Sequence, residues 1–315
     1  MAATITPAKE ISFSDLKPDP PETLRSPGVQ ETLMKEYHFD LVGLRTMLRV
    51  PEEITVSDRL RPFLLAPQKK TDCTITVQPR SVLPAPSAEG TWHGPEYYDR
   101  RNGDLLIFHC SAPGAAAFAV TQHFKDGSIE IVVLPDYVSY FTGSSGIFNR
   151  IGMETLLLQH HGLLLHASLI KFNGKGIAFA GPSGVGKSTQ AQLWQDSLGA
   201  EILNGDRAAL RKSELCWTAY GSPYAGTSGI YRRDSAPLAA VVVLRQAAEN
   251  RLLTLGPVQA LTQLYPELSV HHWDKAFVAG ATDLCLELTE RVPVYLLECR
   301  PDASAVQLLK KGLDL

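Results

Sequence analysis

One nine-residue segment of the sequence has the residue types and the spacing that phosphate binding requires. In order, it consists of Gly181, Pro182, Ser183, Gly184, Val185, Gly186, Lys187, Ser188 and Thr189. It matches the pattern G-x-x-x-x-G-K-[S/T] throughout. Its three glycines allow the backbone to curl so that successive N–H groups face one anion. Lys187 supplies a positive charge to the outer phosphates, and the hydroxyl of Ser188 can ligate Mg²⁺.

The context of this loop also suits phosphate binding. Apolar residues 177–180 predict a strand that enters the loop, and residues 187–194 predict a helix that leaves it. The positive N-terminal end of such a helix attracts an anion. We therefore predict that the loop binds a nucleoside triphosphate, although these residues do not decide between ATP and GTP. The alternative is a glycine-rich turn at a helix start that binds no ligand.

Two further side chains are candidates for chemistry on the bound phosphates. Asp206 ends a predicted strand that follows the loop helix, where a carboxylate can hold a metal ion or orient a nucleophile. Its alternative role is an Asx turn. His166 lies on a predicted strand over residues 163–170, and pairing of that strand with residues 175–180 would bring it to the phosphate end of the sheet. The alternative is a buried histidine with a structural role.

A second glycine-rich segment, residues 220–229, precedes Arg232 and Arg233. Small residues permit a close approach to a substrate or form a mobile flap, and the arginines could pair with phosphates or acceptor carboxylates. A long surface loop with solvated charges is the alternative. The neighbouring histidines at 160–161 and 271–272 point in different directions, so we predict no metal site at either pair.

The composition excludes several classes of protein. The chain has 315 residues, of which 44% are apolar and 20% charged, so it can build a core, and its length suggests two domains. The net charge of −3 gives no general attraction to nucleic acid or to an anionic membrane. The five cysteines are widely spaced and form no C-x-x-C pair, which predicts reduced, mostly buried thiols. No apolar run reaches the roughly 18 residues of a membrane helix, and the N-terminal residues lack the apolar core of a secretory signal, so we expect a soluble, cytoplasmic protein.

The elements that would position the candidate residues fall into three parts. Residues 1–30 are polar and proline-rich and predict a flexible lead-in. Residues 31–146 predict a mostly antiparallel β domain for recognition of a substrate or partner, with loops over residues 80–103. Residues 147–315 predict the phosphate-binding domain. In the second part, alternating apolar and polar residues predict strands at 72–79, 104–111, 116–124 and 128–135.

The third part mixes predicted strands and helices. Residues 148–162 have helical spacing, and Asn173-Gly174 predicts a tight hairpin turn between two strands. Further strands are predicted at 200–206, 240–246 and 292–299, and further helices at 257–265, 274–290 and 302–313. This mixture predicts an α/β or α+β layered domain.

The order of motifs from residue 166 to about residue 246 resembles the kinase domain of HPr kinase/phosphorylase and its ATP-dependent phosphoenolpyruvate carboxykinase relatives. In that family, as here, a histidine-bearing strand, a short hairpin, the sequence G-x-S-G-x-G-K-S, a helix and an acidic motif follow one another. The chain also resembles a diverged subgroup of these kinases found near peptide-modification genes, some of which phosphorylate serine in ribosomal peptides.

The resemblance implies a P-loop kinase domain that uses ATP and Mg²⁺. It implies that His166 lies beside the transferred phosphate and that Lys187 contacts the phosphates. It also implies that Asp206 activates the acceptor hydroxyl and holds Mg²⁺ together with Ser188. Two features depart from the family pattern. The turn Asn204-Gly205-Asp206 has one acid where the family has adjacent aspartates, and the downstream glutamate is absent from residues 218–221.

We therefore predict a kinase whose acceptor is a serine of a peptide or protein, or a small-molecule alcohol. The first alternative is a nucleotide-binding scaffold or switch with little catalysis, which the single acid motivates. The second is an enzyme similar to phosphoenolpyruvate carboxykinase, which would need a carboxylate-binding set of arginines and a second metal site that the sequence does not locate. The acceptor, a homo-oligomeric state and a reverse phosphorylase activity stay open.

Overall fold

The structure, a computed structural model, describes residues 21–23, 33–112, 114–142, 146–214, 216–224 and 226–315. The predicted lead-in over residues 1–30 lies outside the described residues, apart from 21–23. In the described ranges the chain forms two mixed sheets and six α-helices, which confirms the predicted α/β class. None of these helices combines the length and the apolar character that a membrane crossing requires.

The first sheet is built from the N-terminal part of the chain. Its strands are β1 (Glu22–Thr23), β2 (Met34–Leu41), β3 (Leu44–Pro51), β4 (Leu64–Leu65), β5 (Cys73–Pro79), β6 (Thr91–His93), β7 (Glu96–Arg101), β8 (Asp104–Ala112), β9 (Ala115–His123) and β10 (Ser128–Val133). They lie in the order β4-β2-β3-β5-β10-β9-β8-β7-β6, and β1 pairs with the start of β9. Most neighbours are antiparallel, whereas β5 runs parallel to both β3 and β10.

The four strands predicted for this part of the chain correspond to β5, β8, β9 and β10 and are confirmed. The prediction of loops over residues 80–103 is wrong in its second half, because β6 and β7 form a hairpin there and β7 pairs with β8. Glycines and charged residues obscure this hairpin in the sequence. Tyr97 and Tyr98 anchor it, since they are only 2% and 7% exposed. The strands β2 and β3 were not predicted.

Two short helices connect the sheets. They are α1 (Gly146–Arg150) and α2 (Met153–Gln159), where one helix over residues 148–162 was predicted. Gly152 separates them because it adopts a φ of 66°, in the left-handed region that interrupts a helix.

The second sheet contains the phosphate-binding loop. Its strands are β11 (Gly162–Phe172), β12 (Lys175–Ala180), β13 (Glu201–Asn204), β14 (Arg207–Lys212), β15 (Trp217–Tyr220), β16 (Ser235–Gln246), β17 (Arg251–Leu255) and β18 (Val294–Cys299). The order is β12-β11-β14-β15-β16-β18-β17; in addition, β13 pairs with β11 and β12 pairs with β16. Its helices are α3 (Lys187–Leu198), α4 (Pro257–Leu264), α5 (Lys275–Arg291) and α6 (Ala303–Gly312). The apolar side chains of α3 and α6 pack on one face of the sheet and those of α4 and α5 on the other.

The predicted hairpin between β11 and β12 is confirmed and sets the position of the loop. Asn173 and Gly174 have φ of 49° and 74°, the mirror-image turn that Asn-Gly favours. Ala167 lies opposite Ala180, so the preceding His166 is at the end of β12 where the loop begins. Because β12 also pairs with the parallel strand β16, the loop leaves from the interior of the sheet.

One hydrophobic cluster continues from the first sheet to the second. It joins Phe39 and Ile131 of the first sheet to Phe148 and Leu156 of the connecting helices and to Leu164 of β11, and all five are buried. The boundary predicted between residues 146 and 147 therefore lies within a shared core, and the division into separate domains stays a prediction.

Candidate active site

The loop between β12 and α3 has the backbone shape of an anion cradle. Gly181, Gly184 and Gly186 have φ of 134°, 79° and 115°, values that residues with side chains rarely adopt. A Cβ at Gly184 or Gly186 would meet no atom within 4 Å, so these positions need glycine for its conformation rather than for space. α3 begins directly afterwards at Lys187.

The N–H groups of this loop are available to a ligand. Within the described ranges, the amides of Ser183, Gly184 and Gly186 donate to no protein acceptor. The first residues of α3 have no acceptor within their own helix, as at every helix N-terminus. A row of such N–H groups at a helix start is a binding site for phosphate oxygens.

Lys187 is buried, and the loop itself holds its ammonium group. Nζ donates to the carbonyl oxygens of Gly181 (2.6 Å) and Pro182 (3.1 Å). Burial lowers the pKa of Lys187, while the carboxylates of Glu267 and Asp206 act in the opposite direction. Both carboxylates therefore lie close enough to attract the ammonium group. A phosphate in the loop would replace the carbonyl contacts with charged ones.

The turn that carries Asp206 is built around the side chain of Asn204, which is fully buried. Oδ1 of Asn204 accepts from the N–H groups of Asp206 (2.8 Å) and Arg207 (2.7 Å). Nδ2 donates to the carbonyl oxygens of Ser222 (3.0 Å) and Tyr224 (2.8 Å). Asn204 is thus committed to holding the turn, and the turn leaves the side chain of Asp206 30% exposed.

The second glycine-rich segment packs directly on this turn. A Cβ at Gly205 would lie 2.0 Å from Oγ of Ser228, and a Cβ at Gly226 would lie 2.6 Å from the Cβ of Asp206. We call residues 226–229 the glycine flap. The small residues of this segment therefore allow the glycine flap to pack closely against the turn that carries Asp206.

The arginines that follow the glycine flap are engaged elsewhere. Arg232 lies 3.4 Å from a carboxylate oxygen of Glu201. Arg233 donates to the carbonyl oxygen of Leu64 in the first sheet (2.9 Å). In this arrangement neither arginine joins the groups around the phosphate-binding loop.

His166 lies between two carboxylates. Its Nε2 is 3.6 Å from Oδ1 of Asp206, and its Nδ1 is 3.3 Å from Oε2 of Glu267. The N–H of Ala167 donates to the carbonyl oxygen of Asp206 (2.9 Å), which ties β11 to the turn. The structure therefore brings together Asp206, His166 and Lys187, the three side chains that the sequence placed in the chemistry.

Glu267 is a member of this group that the sequence analysis missed. It follows α4 in a 3-10 turn and is 9% exposed. A β-bridge between Leu268 and Leu165 holds this turn against β11. The sequence offers one weak signal, Pro266, which cannot continue a helix, and no spacing connects this turn to the distant phosphate-binding loop.

Arg207 is the second side chain that the sequence analysis missed. Its guanidinium lies over the ring of Tyr224, 5.6 Å from the centroid, and its Nε is 3.8 Å from Oδ2 of Asp206. The hydroxyl of Tyr224 donates to the carbonyl oxygen of Phe148 (2.6 Å), so α1 helps to position the ring.

The loop has space beside it for a nucleotide and oxygen ligands for a metal ion. Two cavities border it, one of about 580 Å³ that reaches Glu267 and one of about 410 Å³ that reaches Arg300. Ser188 is exposed at the start of α3, and the carboxylate of Asp206 is partly exposed. No three His, Cys, Asp or Glu side chains in the described ranges form a ready metal site. A hydroxyl and one carboxylate nevertheless fit Mg²⁺, which usually completes its shell with water and substrate phosphates.

A comparison with protein families matches the segment from the start of α2 to the residue before α6. The family model described as "ScmC: SynChlorMet cassette protein ScmC" matches residues 153–302, just under half of the chain. Among solved structures, the Hpr(Ser) kinase/phosphatase from Coxiella burnetii is a distant match at 10% identity and a TM-score of 0.28, which covers 48% of this chain and 99% of that chain. No curated protein matches the chain.

Proposed function

We propose that this protein is a Mg²⁺- and ATP-dependent kinase that transfers the γ-phosphoryl group of ATP to a hydroxyl group. The observation that carries the proposal is the convergence of Lys187, Asp206 and His166 beside a loop in which three N–H groups, those of residues 183, 184 and 186, donate to no acceptor among the described residues. The loop and Lys187 provide positive charge for a triphosphate. The neighbouring carboxylate and imidazole provide the polar groups that phosphoryl transfer also needs.

In the proposed reaction, the acceptor oxygen forms a bond to the γ-phosphorus. The bond from that phosphorus to the bridging oxygen of ADP breaks, and its electron pair leaves on ADP. Asp206 orients the hydroxyl and receives its proton, Lys187 and the loop amides hold the phosphate oxygens, and His166 assists at the transferred group. Mg²⁺, which Ser188 and Asp206 would hold, neutralises charge on the outer phosphates when bound.

The proposed acceptor is a serine of a peptide or protein, or a small-molecule alcohol. The first sheet is our candidate for its recognition, because a continuous set of contacts leads from that sheet to Asp206. Phe148 packs in the core of the first sheet, and its carbonyl oxygen accepts a hydrogen bond from the hydroxyl of Tyr224. The carbonyl oxygen of Tyr224 in turn accepts a hydrogen bond from Nδ2 of Asn204, in the turn that carries Asp206.

A nucleotide-dependent switch with little catalysis is the second candidate function. The turn of residues 204–206 holds a single carboxylate, and this observation favours it. Both functions require nucleotide binding, whereas only the kinase forms a labelled product from γ-labelled ATP.

The experiment that tests the proposal measures nucleotide affinity and turnover on the same variants. We expect Lys187→Ala to lower ATP affinity at least about tenfold, because the cationic contact to the phosphates is lost. We expect Asp206→Asn to keep that affinity and to lose about 10²-fold or more in turnover. Lys175→Ala, at the exposed start of β12, is the matched control.

Candidate peptides, proteins and alcohols are incubated with γ-labelled ATP or GTP and analysed by mass spectrometry. Equal ATP affinity in Lys187→Ala and the parent protein would contradict nucleotide binding in the loop. Tight ATP binding with no labelled product from any acceptor would favour the switch.

A further inference from the structure

Strand β14 carries two arginines, Arg207 and Arg211, whose guanidinium groups stack on tyrosine rings. Among the described residues, only the guanidinium of Arg211 also makes hydrogen bonds. The guanidinium carbon of Arg211 lies 5.9 Å from the ring centroid of Tyr220, and that of Arg207 lies 5.6 Å from the ring centroid of Tyr224. Arg211 also donates to the carbonyl oxygen of Val42 (3.1 Å), so it ties β14 to the first sheet. Its role is structural.

The guanidinium of Arg207 makes no hydrogen bond within the described part of the chain. Its side chain is 46% exposed, and the contact from its Nε to Oδ2 of Asp206, at 3.8 Å, is longer than a hydrogen bond. Its charge also reaches the carboxylate of Glu154 on α2. Arg207 therefore presents an uncommitted fork of N–H donors beside the acid that we place in the transfer.

This guanidinium is nevertheless held in place. The N–H of Arg207 donates to Oδ1 of Asn204, and Nδ2 of the same asparagine donates to the carbonyl of Tyr224, whose ring supports the guanidinium. The hydroxyl of Tyr224 in turn donates a hydrogen bond to the carbonyl oxygen of Phe148. Donors that are fixed in advance stabilise developing charge without a cost of reorganisation.

We propose that Arg207 is a catalytic residue that binds the γ-phosphoryl group during its transfer. The inference rests on the proposed function. The turn offers a metal ion a single carboxylate ligand. A guanidinium can supply further positive charge directly to the three equatorial phosphoryl oxygens. The bonds made and broken are those given above, the proton still passes to Asp206, and Arg207 changes only its hydrogen bonds.

The test uses the full chain with Mg²⁺, ADP and aluminium fluoride. Aluminium fluoride forms a planar mimic of the transferring phosphoryl group beside ADP, so the test needs no known acceptor. The variants are Arg207→Met, which removes the charge, and Arg207→Lys, which keeps the charge but not the fork. Arg211→Met is the matched control, because it removes a tyrosine-stacked arginine from the same strand. ADP affinity is measured by calorimetry with and without fluoride, and folding by thermal unfolding.

We expect fluoride to tighten ADP binding about 10²-fold or more in the parent protein and in Arg211→Met. Arg207→Met should lose most of this gain while its affinity for ADP alone stays within about threefold, and Arg207→Lys should keep part of it. A full gain in Arg207→Met, or an equal loss with and without fluoride, would overturn the inference and leave the kinase proposal standing. A parent protein that binds no nucleotide would overturn both. If Arg207→Met does not fold, Arg207→Lys decides: a gain equal to the parent's would overturn the role of the fork.

Discussion

The substitution Asn204→Asp tests whether the turn of Asp206 depends on an amide. It adds a second acid to the turn, two residues before Asp206, yet we expect it to destabilise the protein. Nδ2 of Asn204 donates to the carbonyl oxygens of Ser222 and Tyr224 at 3.0 and 2.8 Å. A carboxylate oxygen in the same place would face both carbonyl oxygens and donate no hydrogen bond to them.

The expected loss of unfolding free energy is about 3 kcal/mol at pH 8. One buried and one partly buried carbonyl group lose their donor, at about 1 to 1.5 kcal/mol each. A negative charge at a position that is 0% exposed adds to this cost, although the two N–H bonds to Oδ1 survive and offset part of it. Burial among carbonyl oxygens favours the protonated acid in the folded state. The loss relative to the parent is therefore smaller at pH 5 than at pH 8.

The assay is urea unfolding, followed by tryptophan fluorescence, at pH 5 and at pH 8. Asn173→Asp is the control, because Asn173 is exposed in a hairpin turn whose left-handed conformation aspartate tolerates; it should change the unfolding free energy by less than about 0.5 kcal/mol. A loss below about 1 kcal/mol in Asn204→Asp at pH 8 would refute the reasoning. So would turnover above that of the parent, because the aspartate would then act as the missing acid.

Three further predictions concern the flap, the acid stability and the thiols. Gly226→Ala places a Cβ 2.6 Å from the Cβ of Asp206, our proposed catalytic acid, and should lower turnover at least about tenfold. Gly229→Ala is also strained in φ but meets no atom within 4 Å, so it should keep more of the turnover; equal losses would show that backbone strain alone matters. Despite burial, neighbouring hydrogen-bond donors lower the pKa of Glu96 from 4.5 to about 2, so its contribution to stability is present above pH 4.5 and is lost as the pH falls toward 2. Glu96→Gln should therefore lose less unfolding free energy than the parent over that window, and parallel acid titrations would contradict this. Burial raises the pKa of Cys73 to about 12 while Cys216 is exposed, so an alkylating reagent at pH 8 should label Cys216 first, as mass spectrometry of timed samples would show; faster labelling of Cys73 would contradict its burial.

The parts of the site that could be predicted depend on local signals. Glycines at the conformationally demanding positions, a lysine at the helix start and the Asn-Gly turn each act over a few residues, so the sequence located the loop and the hairpin that leads to it. Asp206 and His166 followed from these, because a hairpin and the next strand end at the same edge of the sheet. At this edge Asp206 lies between the two, since its carboxylate attracts the ammonium group of Lys187 and is 3.6 Å from Nε2 of His166.

The rest of the site depends on contacts between distant segments. Glu267 reaches His166 because Leu268 bridges to Leu165, and no periodicity in the sequence records that pairing. In the sequence, Arg207 is an ordinary charged residue at the start of a strand. Its role is indicated only by the structure, in which its guanidinium stacks on the ring of Tyr224. The β6–β7 hairpin was missed for a related reason, since its stability comes from pairing with β8 and not from its own polar sequence.

The packing around Asp206 leaves little room for a second acid in the turn of residues 204–206. Position 204 needs an amide, because one end of the side chain must accept and the other must donate. Position 205 has no room, because a Cβ there would lie 2.0 Å from Oγ of Ser228. Position 207 holds the stacked arginine. A second carboxylate beside Asp206 would therefore require the glycine flap to move, and that movement would also separate Gly226 from Asp206. We therefore expect that a second carboxylate in this turn needs a compensating change in the glycine flap as well.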